Sequence, residues 1–151
     1  MKFTEARSQL SQLYSRISEG GVEVIERNQA RDVVIANASE YRQFLERQNP
    51  IRIEIRFGER SVAAWIKGLP VHAEGETVEE ALDELAVALV DYASAWEKHL
   101  RHAPNHKENI GYVRRVQLAG STAAVRQMLA RDATKEAEEY SADSAQAPVF
   151  A

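Results

Sequence analysis

Arg7, Arg27 and Arg31, near the start of the chain, could meet an anionic partner, although by type and spacing alone each reads first as a solvated arginine or a salt-bridge partner of Glu5, Glu23 or Glu26. A guanidinium fork can clamp a phosphate or read the acceptor edge of guanine. Thr4 precedes a helical-period stretch and reads as its N-cap. That puts Arg7 in a first helical turn, where backbone N–H groups favour an anion. Arg27 and Arg31 flank the polar link Arg27-Asn28-Gln29-Ala30-Arg31, so their side chains would project from one rim. A second group is acidic. Glu79-Glu80 and Asp83-Glu84 fall in the opening turns of a helix, where negative charge is favoured. They read first as charge that stabilises the helix start and second as acidic cover for a basic partner, not as a catalytic dyad. A third group is His99, His102 and His106. Without second-shell partners they read as a solvated helix end, and no metal site is expected. The chain has no cysteine, which removes disulfides, thiolate zinc sites and thiol catalysis. It carries no nucleophile elbow and no glycine-rich phosphate loop. No enzymatic activity and no cofactor are therefore expected.

The net charge of -4 over 151 residues conceals a division. Residues 1–49 carry seven basic and seven acidic groups, residues 50–98 five and ten, and residues 99–151 seven and six. A bulk basic patch is absent, so nucleic-acid contact would have to come from a few arginines doubled by symmetry. No apolar run reaches the length of a membrane span, and the start Met1-Lys2-Phe3-Thr4-Glu5 holds no apolar signal core. The expectation is a cytoplasmic protein without membrane contact.

The elements that must position these residues are legible in the patterning. Ala6, Leu10, Leu13, Tyr14 and Ile17 recur at helical spacing, and Gly20-Gly21 stops that helix. Val22 to Glu26 and Asp32 to Ala36 are β-rich runs around a polar link, a hairpin pattern. Asn37 with Glu40 starts a second helix, which ends at Asn49-Pro50. A unit of this size buries little surface alone and is expected to need a partner subunit. After Pro50, Ile51 to Phe57 alternates as a half-buried strand should. Ser61 to Ile66 and a shorter Val71 to Glu74 are further strands. Thr77 and Glu80 open a helix whose apolar face is Ala81, Leu82, Leu85, Ala88, Leu89, Tyr92 and Trp96, ending near Leu100. Trp65 and Trp96 both read as core. Residues 102–109 read as a polar link, 110–119 as helix or strand, and Ser121 as the cap of a last helix. Residues 141–151 read as a disordered tail.

Residues 1–47 resemble the Phd/YefM antitoxin family. The resemblance lies in Phe3-Thr4-Glu5-Ala6-Arg7-Ser8-Gln9-Leu10, in Gly20-Gly21-Val22-Glu23-Val24-Ile25-Glu26-Arg27, and in Val33-Val34-Ile35-Ala36 leading to Glu40-Tyr41. Gly68-Leu69-Pro70, Glu74-Gly75-Glu76-Thr77 and Glu79-Glu80-Ala81-Leu82 give residues 51–100 a fainter similarity to the HicB-type antitoxin domain.

The resemblance implies an α+β chain. A Phd/YefM-like dimerisation and DNA-binding unit (helix, β-hairpin, helix; residues 1–49) would precede a HicB-like ββ(β)α toxin-binding unit (50–101). A linker and C-terminal helix (102–140) would follow. The implied function is an antitoxin that neutralises a cognate toxin protein by direct binding and represses its own operon as a homodimer on operator DNA. The alternative is a Phd-like regulator or adaptor without a toxin. Thr4, Arg7, Arg27, Asn28 and Arg31 become the implied DNA-binding residues. For the toxin, the last helix offers Val125, Met128 and Leu129 among Arg126, Arg131 and Lys135, the mixture a groove-binding helix would carry.

Overall fold

The computed structural model describes residues 1–26 and 31–145, with side chains as far as Ala133. The chain divides into two compact units, Met1–Phe44 and Leu45–Ala151.

The first unit opens with helices α1 (Phe3–Ser8) and α2 (Leu10–Ser18). The expected single helix is thus interrupted, at Gln9 (φ -112°, ψ 22°). Ser8 Oγ donates to the Glu5 carbonyl at 2.9 Å, the local competition by which serine weakens a helix. Thr4 does not cap α1. The N-cap position belongs to Lys2, which makes no side-chain capping bond. Strands β1 (Val22–Ile25) and β2 (Val33–Ala36) form the expected antiparallel hairpin, with Val22 opposite Ala36 and Ile25 opposite Val33. Residues 1–3 run beside it, Glu26 N donating to the Met1 carbonyl and Phe3 N to the Glu26 carbonyl. The core here is small: Ala6, Leu13 and Ile17, backed by half-buried Met1, Ile25 and Ile35. Asn37 joins two helices at once. Its Oδ1 accepts from the N–H groups of Ser39 (2.9 Å) and Glu40 (3.3 Å) at the start of α3 (Ala38–Gln48). Its Nδ2 donates to the Ser18 carbonyl at the end of α2, at 3.2 Å. One side chain therefore satisfies orphan donors of one helix and an orphan acceptor of another.

The second unit is built on a three-stranded antiparallel sheet in the order β3 (Ile53–Phe57), β4 (Val62–Ile66), β5 (His72–Gly75). Helix α4 (Val78–Ala95) lies across it. Thr77 Oγ1 accepts from Glu80 N at 3.2 Å, as its spacing predicts, while the Glu80 carboxylate reaches Glu76 N at 2.8 Å rather than Thr77. A Cβ at Gly75 would come within 2.5 Å of Ala81 N, so only glycine lets β5 run this close to the start of α4. After one wide π-turn (Trp96–Leu100), a short 3₁₀ turn (Lys107–Asn109) leads into α5 (Ile110–Ala119). The ambiguity over 110–119 resolves as helix. Gly120 (φ 81°) closes α5 in the left-handed conformation, and Ser121 Oγ caps α6 (Thr122–Ala145) through Ala124 N. Residues 141–145 of the expected disordered tail are thus helical, and 146–151 lie outside the described residues.

One core joins the sheet to all three helices. Val62, Ala64 and Ile66 meet Leu82, Leu85 and Leu89 of α4, and the same cluster takes in Val113, Val116, Val125, Met128 and Leu129. Trp96 is buried as expected. Trp65 is not: it lies on the sheet face away from α4, with Arg56 over its ring (5.5 Å) and its Nε1 donating to Glu54 at 2.9 Å. Nor is the 102–109 segment a loose link. His106 Nδ1 contacts Tyr92 Oη at 3.0 Å, and its carbonyl accepts from Trp96 Nε1 at 2.8 Å.

A buried ion pair fixes the entry to β3. Arg115 of α5 and Asp132 of α6 meet at 2.9 Å, with relative exposures of 4% and 9%. Arg115 also donates to the Asn49 carbonyl (2.8 Å), and Asp132 accepts from Ile51 N (3.3 Å). Asn49 in turn lies so close to Gly111 that a side chain there would collide with it. Removing one partner of a buried pair strands the other charge, at a cost of about 3–5 kcal/mol, whereas replacing both by apolar groups is often neutral. Asp132→Ala is therefore expected to lower stability by about 3–5 kcal/mol, and Arg115→Met with Asp132→Leu by much less. Denaturant unfolding of both variants measures the difference.

Glu97, on the π-turn, is held below the ordinary carboxylate range. The first cause is the hydrogen bond from Gln117 Nε2 (2.9 Å). Desolvation opposes it, and the bond and charge of Arg114 and the charge of Arg101 add to it. A carboxylate with a lowered folded pKa gives stability that is present at neutral pH and is lost as pH falls through the folded value. Melting temperature against pH is expected to fall less steeply on the acid side in Glu97→Gln than in the parent chain.

Candidate functional surfaces

Among its described residues, the first unit exposes more large apolar side chains than it buries. Leu10 (63% exposed) and Tyr14 (74%) stand out from α2, although their spacing puts them on the stripe with Leu13 and Ile17. Cross-strand register places Val22, Val24 and Val34 on one sheet face, and all three are exposed. The other face carries Ile25 and Ile35 against the core. Tyr41 and Phe44 stack on the exposed side of α3, ring centroids 6.3 Å apart. A cavity of about 370 Å³ opens between Leu10, Tyr14, Ile17, Ile35 and Ala36. Periodicity marks these residues as apolar. It cannot show that their faces lack cover within the chain.

Thr4, Arg7 and Arg31 are all exposed. Arg7 lies in the last turn of α1, not the first turn of a long helix, because α1 ends at Ser8. The helix start beside it is that of α2. Arg7 and Arg31 make no ion pair among the described residues, whereas Arg16 pairs with Glu23 (3.2 Å) and Lys2 with Glu26 (3.5 Å). Arg27 and Asn28 lie outside the described residues.

In the second unit, β5 and α4 border an open groove of about 890 Å³. Glu74, Glu76, Glu80, Glu84 and Asp91 line it, together with Arg60, His72, Val87 and Ala88. Asp83, on the same helix, faces elsewhere and pairs with Arg126 of α6 at 2.6 Å. Glu79, Glu80, Asp83 and Glu84 stand out in the sequence. The contributions of Glu74, Glu76 and Asp91 follow from the closeness of β5 to α4, which no local pattern shows.

Val125, Met128 and Leu129, assigned by sequence to a partner, are corrected by the structure. They are 0%, 4% and 0% exposed and pack in the chain's own core. The reason is α4, which is apolar over a face broad enough to take the sheet on one side and α6 on the other. His99 and His102 are exposed, and among the described residues no group of His, Asp or Glu could hold a metal ion. No helix among the described residues is long and apolar enough to cross a membrane.

Comparison with curated protein sequences gives no match. Among solved structures, the chain is similar to a crystal structure from Syntrophomonas wolfei subsp. wolfei, described as an antitoxin part of a toxin/antitoxin system. The identity is 21%, the match covers 84% of this chain and 93% of that one, and the TM-score is 0.69. At that identity the likeness bears on the fold: α+β, with helices and two small antiparallel sheets. A family model described as PHD-like, an antitoxin of RelE/RelB toxin–antitoxin systems, matches residues 1–134. The chain therefore belongs to this PHD-like family and is the antitoxin of a toxin–antitoxin system.

Proposed function

We propose that this antitoxin works as a homodimer joined through its first unit, that the dimer binds operator DNA in the Phd/YefM manner, and that the second unit holds the toxin. The observation that carries the reading is the uncovered apolar surface of Met1–Phe44. Leu10, Tyr14, Val22, Val24 and Val34 are exposed around a core of three side chains buried among the described residues. Each large side chain taken out of water contributes about 1.5–3 kcal/mol. A two-fold partner covers the same patch on both copies at once. Doubling also supplies what the charge balance lacks, since one neutral unit presents few cations and two present a symmetric pair of arginine sets.

Arg7 and Arg31 support the DNA assignment by being exposed and unpaired among the described residues. Arg27 and Asn28 complete the set by family resemblance. For the toxin, the groove between β5 and α4 replaces the last helix as the contact surface, because its acids face solvent and small RNA-cleaving proteins are basic. Complementary charge steers encounter and selects the partner. The strand–strand–strand–helix order of this unit favours the HicB-like reading.

Three measurements test these assignments separately. Light scattering at micromolar concentration is expected to give at least twice the 17.0 kDa chain mass, and Val24→Asp with Tyr14→Asp to lower that mass. A monomeric parent chain sinks the dimer. In gel shifts with the upstream DNA, Arg7→Ala is expected to weaken binding by about 1–3 kcal/mol per lost base contact without altering mass. Unchanged affinity removes Arg7 from the interface. Glu80→Lys with Glu84→Lys in the full chain is expected to slow capture of the toxin on the order of tenfold while leaving DNA affinity intact. Full-rate capture moves the toxin site elsewhere.

A further inference from the structure

The open edge of the second unit's sheet is complementary to itself. The register fixes which groups of β3 are free. Lys67 N donates to the Arg52 carbonyl and Gly58 N to the Ser61 carbonyl, so even-numbered residues of β3 turn their backbone groups toward β4. The backbone groups of Ile53, Ile55 and Phe57 therefore face the outer edge. Their side chains share the helix-side face with Val62, Ala64 and Ile66, which are buried. Helix α4 crosses β4 and β5 but stops short of this part of β3, leaving Ile55 at 38% exposure and Phe57 at 72%. Ile51, at the start of the edge, is already held by Asp132. What remains is a short apolar strand whose outer backbone groups have no partner among the described residues, the feature natural sheets usually cover or blunt.

We propose that this edge pairs, antiparallel and about a two-fold axis through Ile55, with the same edge of a second copy of the chain. Residue order selects that occupant and that register. Ile53-Glu54-Ile55-Arg56-Phe57 alternates apolar, acid, apolar, base, apolar. Centred on Ile55, the strand sets Glu54 opposite the partner's Arg56 and Arg56 opposite the partner's Glu54. Ile53 meets the partner's Phe57 on the other face. Opposed unlike charges stabilise cross-strand pairs and like charges destabilise them. A shift by one residue about the axis would oppose Glu54 to Glu54, or Arg56 to Arg56. Only the Ile55-centred register also pairs all three outward-facing residues. Within the chain Glu54 and Arg56 already flank the Trp65 ring, which holds both on the face where the partner's charges would arrive. The contact lies wholly in the second unit and does not depend on dimerisation through the first.

The chain has no cysteine, so one introduced thiol reports the pairing. In a hydrogen-bonded antiparallel pair the Cα atoms of opposed residues are about 5.5 Å apart. That lies within the roughly 4.4–6.8 Å a disulfide spans. Ile55→Cys is expected to give a covalent dimer under mild oxidation at least tenfold faster than Glu74→Cys, a control on β5. Adding Glu54→Arg is expected to remove that advantage, and adding Arg56→Glu as well to restore it, with Trp65 fluorescence reporting that each variant is folded. Equal rates for the two single-thiol variants, or no recovery in the charge swap, overturn the proposal. Hydrogen exchange of the unaltered chain gives an independent answer. The Ile55 amide is expected to be protected like those inside the sheet. Exchange at the rate of an open edge rules the pairing out, including the case in which another protein is the occupant.

Discussion

The second unit depends on one constraint: α4 must be covered on two sides. Ala81, Leu82, Leu85, Ala86, Leu89, Tyr92 and Ala93 are all buried, an apolar face wider than a small three-stranded sheet can cover. The sheet takes one flank, and α5 and α6 take the other through Val113, Val116, Val125 and Leu129. Other features follow from this. Helices drawn onto α4 bring Arg115 and Asp132 inward, where neither charge is tolerable alone. The carbonyl of Asn49 and the amide of Ile51 each add a hydrogen bond to the pair, while Nε and Nη2 of Arg115 are buried without a partner among the described residues. The chain entering β3 is thus fixed by helices far along the sequence. The polar turn at 106–109 is fixed in the same way, by Tyr92 and Trp96.

The first unit meets the opposite condition. Its helices are short, its sheet has two strands, and its buried core is Ala6, Leu13 and Ile17. Polar groups at its joints are well satisfied, as the double role of Asn37 shows, so local geometry is specified even where burial is scant. Specified geometry with uncovered apolar faces is the observation on which the proposed dimer rests.

Elements with a strong local cause are legible in the sequence. The Thr77 and Ser121 caps, the Gly120 stop, the pairing of β1 with β2 and the alternation of β3 rest on nearest-neighbour chemistry, and they place the elements to within a residue or two. Properties decided by distant packing are not. An apolar side chain at helical spacing reads the same whether it faces the chain's own core or a partner, so Leu10 and Val125 cannot be told apart by pattern. The structure exposes the first and buries the second. Trp65 departs from expectation for a related reason. Alternation shows that β4 has two faces, but not that the face bearing Trp65 stays open.

The same reasoning bears on the acids of α4. A helix with so broad an apolar face needs charge on its remaining surface simply to stay solvated, so acidity alone carries no functional weight. What separates the groove from ordinary solvated charge is pairing. Asp83 is neutralised by Arg126, and Glu97 by Arg114 and Arg101. Glu74, Glu84 and Asp91 have no cationic partner among the described residues, and they converge with Glu76 and Glu80 on one side of the unit. Arg60 borders the same groove without forming an ion pair with any of them among the described residues. Like charges gathered in a concave surface raise each other's energy and focus the field outward. That cost falls when a cation arrives and persists when none does. Five carboxylates held in place by β5 and α4 against one unpaired arginine leave the field directed at whatever docks there.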